Sequence, residues 1–145
     1  MTKQICIVLA CLLTAGVAMP AAAKLVRGND DSNRIRGTSA ADSLFGEGKD
    51  DRIAARGGND FVDGGSGEDV LTGDGGRDRI LGQSGDDLID GGPGRDRIVG
   101  GKGDDSIYAR DDERDVVRCS SGKEDRVIAD RRDRVAKSCE SVVKG

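Results

Sequence analysis

A large aliphatic side chain returns at every ninth position through the middle of the chain: Leu44, Ile53, Val62, Leu71, Ile80, Ile89, Ile98 and Ile107. Around each one the inward and outward alternation lasts only three residues, with the aliphatic pointing in and its two neighbours out, as in a very short strand. Glycine-rich stretches separate these triplets, and glycine accepts the left-handed and crowded backbone conformations that tight turns need. The pattern predicts a turn followed by a short strand, repeated in strict phase.

The polar positions keep the same phase. Two residues before each aliphatic stands an aspartate: Asp42, Asp51, Asp60, Asp69, Asp78, Asp87, Asp96 and Asp105. Five residues before each aspartate stands Gly37, Gly46, Ala55, Gly64, Gly73, Gly82, Gly91 or Gly100, and two before it Gly58, Gly67, Gly76, Gly85, Gly94 and Gly103 recur. Composition alone would point elsewhere. The chain has no histidine or tryptophan, its aromatics are Phe45, Phe61 and Tyr108, and 34% of it is charged, a balance typical of disorder. A disordered chain has no reason to hold a nine-residue phase, so the repeat outweighs the composition.

At these residues the sequence resembles the RTX nonapeptide repeats of hemolysin-type calcium-binding proteins, whose pattern is G-G-x-G-x-D-x-U-x with U a large aliphatic. Gly64 to Thr72, Gly91 to Val99 and Gly100 to Tyr108 match it at every specified position, while Ala40, Lys49 and Ala55 replace glycines. The resemblance implies an all-β fold, a right-handed parallel β-roll (β-solenoid) in which two nonapeptides make one turn of 18 residues. Strands would then stack at about 4.8 Å and the aspartates would form two files, Asp42, Asp60, Asp78, Asp96 and Asp51, Asp69, Asp87, Asp105. It also implies that these eight aspartates are the metal ligands and that Ca2+ is the cofactor, with six gaps between stacked aspartates giving about six sites.

Elementary electrostatics agrees with a cation in the files. Carboxylates one strand spacing apart repel by ~3 kcal/mol per pair at an effective dielectric near 20, and one aliphatic per nonapeptide offsets little of that. Calcium takes six to eight hard oxygens from carboxylates and carbonyls. Zinc and copper would find none of their preferred histidine or cysteine ligands in the repeats, and magnesium favours a tight octahedron with retained waters.

The flanks divide the chain into an expected signal segment at 1–23, a capping rung at 24–36, calcium-binding repeats at 37–108 and a C-terminal cap at 109–145. Met1-Thr2-Lys3, an apolar run from Ile5 to Met19 and Ala21-Ala22-Ala23 read as a secretory signal, too short for a membrane span. Its removal takes away Lys3 and no acid, so the net charge goes from −4 to −5, an acidic balance that disfavours nucleic acid. Cys119 and Cys139 are then the remaining cysteines, and in an oxidising compartment they are expected to pair and staple the cap. In the capping rung, Asn33 stands where an aspartate would, leaving at most a weak seventh site between Asn33 and Asp51. After Tyr108 the phase breaks. Asp115-Val116-Val117, Asp125-Arg126-Val127 and Asp133-Arg134-Val135 echo the triplet without the glycines, and Arg114 stands eighteen residues after Asp96, so strands are expected to continue there without calcium sites.

No catalytic machinery is visible: no histidine activates a serine, and neither G-x-S-x-G nor G-x-G-x-x-G occurs. The leading expectation is a secreted calcium-binding protein, extracellular or attached to the cell envelope, that folds in response to extracellular calcium. An adhesin or ice-binding solenoid working through its outward face, and an accessory module of a secreted enzyme, are the alternatives. The outward positions Ser43, Phe61, Arg79 and Arg97 lack the regular threonine ladder that ice would require. A protein or surface partner is not named by the sequence.

Overall fold

The computed structural model describes residues 21–145, so the expected signal segment lies, up to residue 20, outside the described residues. The chain winds as a parallel β-solenoid of about seven turns. One seven-stranded sheet contains β1 (Leu25–Asn29), β3 (Ser43–Gly48), β5 (Phe61–Ser66), β7 (Arg79–Ser84), β9 (Arg97–Lys102), β11 (Val116–Ser121) and β13 (Arg134–Val135) in that order. The second contains β2 (Arg34–Arg36), β4 (Arg52–Ala54), β6 (Val70–Thr72), β8 (Leu88–Asp90), β10 (Ser106–Ala109), β12 (Arg126–Ala129) and β14 (Ser141–Lys144). Every pairing is parallel, so each strand lies beside the strand one full turn away. No helix long and apolar enough to cross a membrane occurs among the described residues.

The core is the stack of aliphatics read from the sequence. Leu44, Val62, Ile80 and Ile98 are in register in the first sheet and Ile35, Ile53, Leu71, Ile89 and Ile107 in the second, nearly all fully buried between the sheets. Fully burying such a side chain contributes about 1.5–3 kcal/mol. The layer is one side chain thick per strand, so much of the stability has to come from the turns.

One expectation is corrected by the strands themselves. The short strands hold for the second sheet, at three or four residues, but strands of the first run to six residues, because Gly65 and Ser66 go on pairing with Gln83 and Ser84. The two edges of the solenoid therefore differ: the turn Gly67 to Asp69 is short, whereas Gly73 to Asp78 is long. Within the longer strands of the first sheet, Glu47, Gly65, Gln83 and Gly101 stand in register at positive φ. Lys49 also adopts positive φ, 60°, in place of a glycine, so its departure from the pattern leaves the turn intact.

At the end of the stack the strands continue as expected. Strands β11 to β14 extend the same two sheets, with Val117 in register with Ile98 and Val127 with Ile107. The pairing offset becomes 19 residues between β9 and β11 and 20 between β10 and β12, because the turns Arg110 to Asp115 and Gly122 to Asp125 absorb one extra residue each. Backbone pairing tolerates these insertions since only turns lengthen. The expected disulfide is present: Cys119 on β11 is bonded to Cys139 just before β14, with Cα atoms 5.2 Å apart.

Candidate metal centre

All eight repeat aspartates are buried, none more than 3% exposed, and they form the two expected files along the edges of the solenoid. Parallel pairing at an offset of 18 residues puts them there, since each aspartate immediately precedes or nearly precedes a strand in fixed register. Within a file one oxygen of each carboxylate is used by the backbone of the turn before. Asp60 Oδ1 accepts the backbone N–H of Asp42 (2.6 Å), Asp78 Oδ1 that of Asp60 (2.8 Å) and Asp96 Oδ1 that of Asp78 (2.8 Å). In the other file, Asp51 accepts from Asn33 (2.6 Å), Asp69 from Asp51 (2.7 Å), Asp87 from Asp69 (2.9 Å) and Asp105 from Asp87 (3.1 Å).

The second oxygen is left over. Oδ2 of Asp51, Asp60, Asp69, Asp78, Asp87, Asp96 and Asp105 is buried and receives no hydrogen bond, and the same holds for Asp115 and Asp125. A buried charged oxygen with no partner costs several kcal/mol, so nine of them demand a counter-charge. Space for it is kept by glycine. A Cβ on Gly46 would overlap both Asp51 Oδ2 and the carbonyl oxygen of Gly64 one turn on, and Gly82 stands in the same relation to Asp87 Oδ2 and Gly100 O. A carboxylate oxygen and a carbonyl oxygen from adjacent turns thus converge where a side chain is missing.

Burial also shifts the carboxyls. It pushes Asp96 up to about 8 and Asp87 and Asp115 up to about 7, with neighbouring acids adding to the rise and the hydrogen bond from the preceding turn opposing it. Asp69, Asp78 and Asp105 are raised to about 6 for the same reason. On the edge of Asp51 to Asp105, each file member follows another acid, Asp50, Glu68, Asp86 or Asp104, and Asp86 and Asp104 are among the charges that raise Asp105. On the other edge the same place holds Ala41, Asn59, Arg77 and Arg95.

The ends of the files close on themselves. Asp42 Oδ2 accepts the backbone N–H of Thr38 (2.5 Å), and Asn33 is bonded within its own turn to Asn29 and Asp31. Beside Asn33 the gap is framed as in the repeats, since a Cβ on Gly28 would overlap both Asn33 Oδ1 and the carbonyl oxygen of Gly46. At the far end Asp133 accepts from the backbone of Asp115 (2.9 Å) and of Asp130 (2.6 Å), while Glu140 accepts from Asp125 (3.1 Å).

Asp115 and Asp125, read from the sequence only as echoes of the triplet, belong to the files: Asp115 Oδ1 accepts the N–H of Asp96 (2.8 Å) and Asp125 Oδ1 that of Asp105 (2.9 Å). The expectation that Asp96 ends its file because Arg114 lies eighteen residues on is therefore overturned; the inserted residue moves Asp115 into place.

The donors are hard oxygens only. Among the described residues no three histidine, cysteine, aspartate or glutamate side chains gather as a metal-holding group, so a cation here would draw on paired carboxylates and turn carbonyls together. That donor set suits calcium better than zinc or copper.

Comparison with known families agrees with this chemistry. The model for the RTX calcium-binding nonapeptide repeat (4 copies) matches residues 27–62, 36–71, 46–80, 63–98, 72–107 and 90–113. Neither the curated proteins nor the solved structures compared with the chain give a match.

Proposed function

The chain belongs to the RTX calcium-binding nonapeptide-repeat family, and from that premise we propose that it is an exported protein whose ordered state is held together by calcium bound along the two aspartate files. The observation that carries this reading is the series of buried Oδ2 atoms without partners, those of Asp51, Asp69, Asp78, Asp87, Asp96 and Asp105 beside a glycine whose Cβ would overlap them. Asp51, Asp60, Asp69, Asp78, Asp87, Asp96 and Asp105 are the repeat ligands with an open oxygen and Asp42, whose oxygens already accept backbone N–H groups, ends its file, with about six ions in the gaps between the eight. When bound, calcium supplies the positive charge that the stacked carboxylates lack. The chain's own part is to present one carboxylate oxygen per turn, keep side chains out of the gap through glycine, and anchor the other oxygen on the preceding turn.

Folding is coupled to binding on this reading, because ions that bind only the ordered form stabilise it by mass action. Extracellular calcium modules have dissociation constants of about 10⁻⁴ to 10⁻³ M, so a chain passing the N-terminal signal route would remain unfolded until it met millimolar calcium outside. The role is structural or binding rather than catalytic, and calcium is the partner the site selects. The adhesin alternative draws its support from the outward face of the first sheet, where Arg27 stacks on Phe45 at 4.7 Å and Phe45 lies 5.5 Å from Phe61. The primary test is far-ultraviolet circular dichroism of the chain lacking residues 1–23. It should show a largely unfolded chain in excess chelator and β-structure in millimolar calcium, and a spectrum indifferent to chelator would sink the proposal.

A further inference from the structure

The cation files continue past the nonapeptides. The family match stops at residue 113, and the turns that follow have lost the repeat's glycines. Yet Asp115 and Asp125 are each 0% exposed and repeat the hydrogen-bonding pattern of the aspartates before them. One oxygen accepts the backbone N–H of the file member a turn earlier, Asp96 or Asp105, and the other is buried without a partner. The members beyond them, Asp133 and Glu140, behave otherwise, for Asp133 has backbone donors on both oxygens. The boundary between open and satisfied carboxylates thus falls one full turn beyond the boundary of the recognisable repeat.

We infer that Asp115 and Asp125 are additional calcium ligands, which lengthen the two ion files by one gap each, Asp96 to Asp115 and Asp105 to Asp125. The inference rests on the reading of the repeat files as calcium sites and adds positions that the nonapeptide pattern does not assign. Its physical basis is that, among the described residues, no basic side chain pairs with either group. Asp111 is among the charges that bear unfavourably on Asp115, and Glu140 and Asp104 bear on Asp125 in the same sense. Arg114 precedes Asp115 in the chain but forms no ion pair with it. The staple between Cys119 and Cys139 brackets Asp125, so the disulfide and the extra gaps tie down the same turns. The ions hold the edges and the disulfide the interior of that end.

Counting bound calcium decides it. Equilibrium dialysis of the unaltered chain at saturating calcium is compared with Asp115→Asn/Asp125→Asn, in which asparagine keeps the Oδ1 acceptor and removes the charge. The Asp112→Asn variant, at an exposed acid outside the files, is the control. The double variant should retain the far-ultraviolet spectrum of the unaltered chain at saturating calcium and bind at least about two fewer ions, with the control unchanged. Hydrogen exchange gives a second readout: the amides of Asp96 and Asp105 should remain protected in the double variant at saturating calcium and lose protection at calcium concentrations that still protect those of Asp60 and Asp69. Equal ion counts for the double variant and the unaltered chain would overturn the inference while leaving the repeat sites standing, whereas no bound calcium in the unaltered chain would overturn both.

Discussion

Asparagine and alanine at position 78 separate the two jobs of a file aspartate. Asp78 Oδ1 accepts the backbone N–H of Asp60 at 2.8 Å, and Oδ2 has no partner. Asp78→Asn keeps the acceptor and removes the charge; Asp78→Ala removes both. At 10 mM calcium, a site with a dissociation constant of about 10⁻⁴ to 10⁻³ M adds about 1.4–2.7 kcal/mol to the folded state. Asp78 borders two gaps, so Asp78→Asn should lower stability in calcium by about 3–5 kcal/mol if both ions are lost. Alanine should cost a further ~1–3 kcal/mol, because the buried N–H of Asp60 then has no acceptor.

Without calcium the sign reverses for asparagine. Burial raises the Asp78 carboxyl to about 6, so at pH 7.5 the folded, ion-free chain carries a charge it would rather not have. A neutral amide relieves that cost, and Asp78→Asn should order at a lower concentration of a stabilising osmolyte in chelator than the unaltered chain does. Urea unfolding in 10 mM calcium and osmolyte-induced folding in chelator, both followed by far-ultraviolet circular dichroism, give the two signs. Asp78→Asn losing stability under both conditions, or under neither, would refute the account of Oδ2 as an open ligand.

Protons should partly stand in for calcium. Because folding raises Asp69, Asp78, Asp87, Asp96, Asp105 and Asp115 above the usual 3.8, the folded state binds protons more tightly; the resulting stability is full below about pH 4 and is lost as pH rises through 6 to 8. In chelator, circular dichroism should therefore show β-structure appearing as pH falls from 8 to about 4.5, and a flat profile contradicts the burial of the files. Gly94 sits at φ +151° and an added Cβ would overlap the carbonyl oxygen of Gly76, so Gly94→Ala should destabilise the calcium-loaded protein by more than the ~1–3 kcal/mol of backbone strain alone. Gly75 faces open space, and Gly75→Ala should be neutral or stabilising by up to ~1 kcal/mol in the same urea titration. Reducing Cys119–Cys139, whose sequence separation is 20, should cost about 3 kcal/mol and release the amides of β11 to β14 to hydrogen exchange before those of β3 to β10.

Much of the fold was legible because the repeat is its own alignment. Eight copies of one phrase fix which residue stacks on which once the turn is known to be two copies long, and Leu44, Val62, Ile80 and Ile98 do stack. The alternation of long and short strands was not legible, since consecutive nonapeptides such as Gly91 to Val99 and Gly100 to Tyr108 are nearly the same in sequence and differ in which sheet they feed. Within a nine-residue unit only the residue before the aspartate marks the edge, an acid at Asp50, Glu68, Asp86 and Asp104 against Ala41, Asn59, Arg77 and Arg95, and that mark carries no strand length. That difference arises from the closure of the two-unit turn, a property of the solenoid as a whole.

The end of the candidate site was hidden for a different reason. Counting eighteen residues from Asp96 reaches Arg114, and a fixed count reads that as the end of the file. The chain counts differently: what holds Asp115 in place is the N–H of Asp96 on its carboxylate and the pairing of Val116 with Arg97, both of which a turn longer by one residue can still satisfy. The same holds for Asp125, where Arg126 pairs with Ser106 across an offset of 20. The signal was present as the triplets Asp115-Val116-Val117 and Asp125-Arg126-Val127, whose aspartate and inward valine keep their mutual spacing when the spacing between turns changes. Register in such a fold is set strand by strand, through hydrogen bonds and one buried side chain, and the turns are free to drift. A carboxylate two residues before an inward aliphatic is therefore a more durable mark of the file than the nine-residue period that first reveals it.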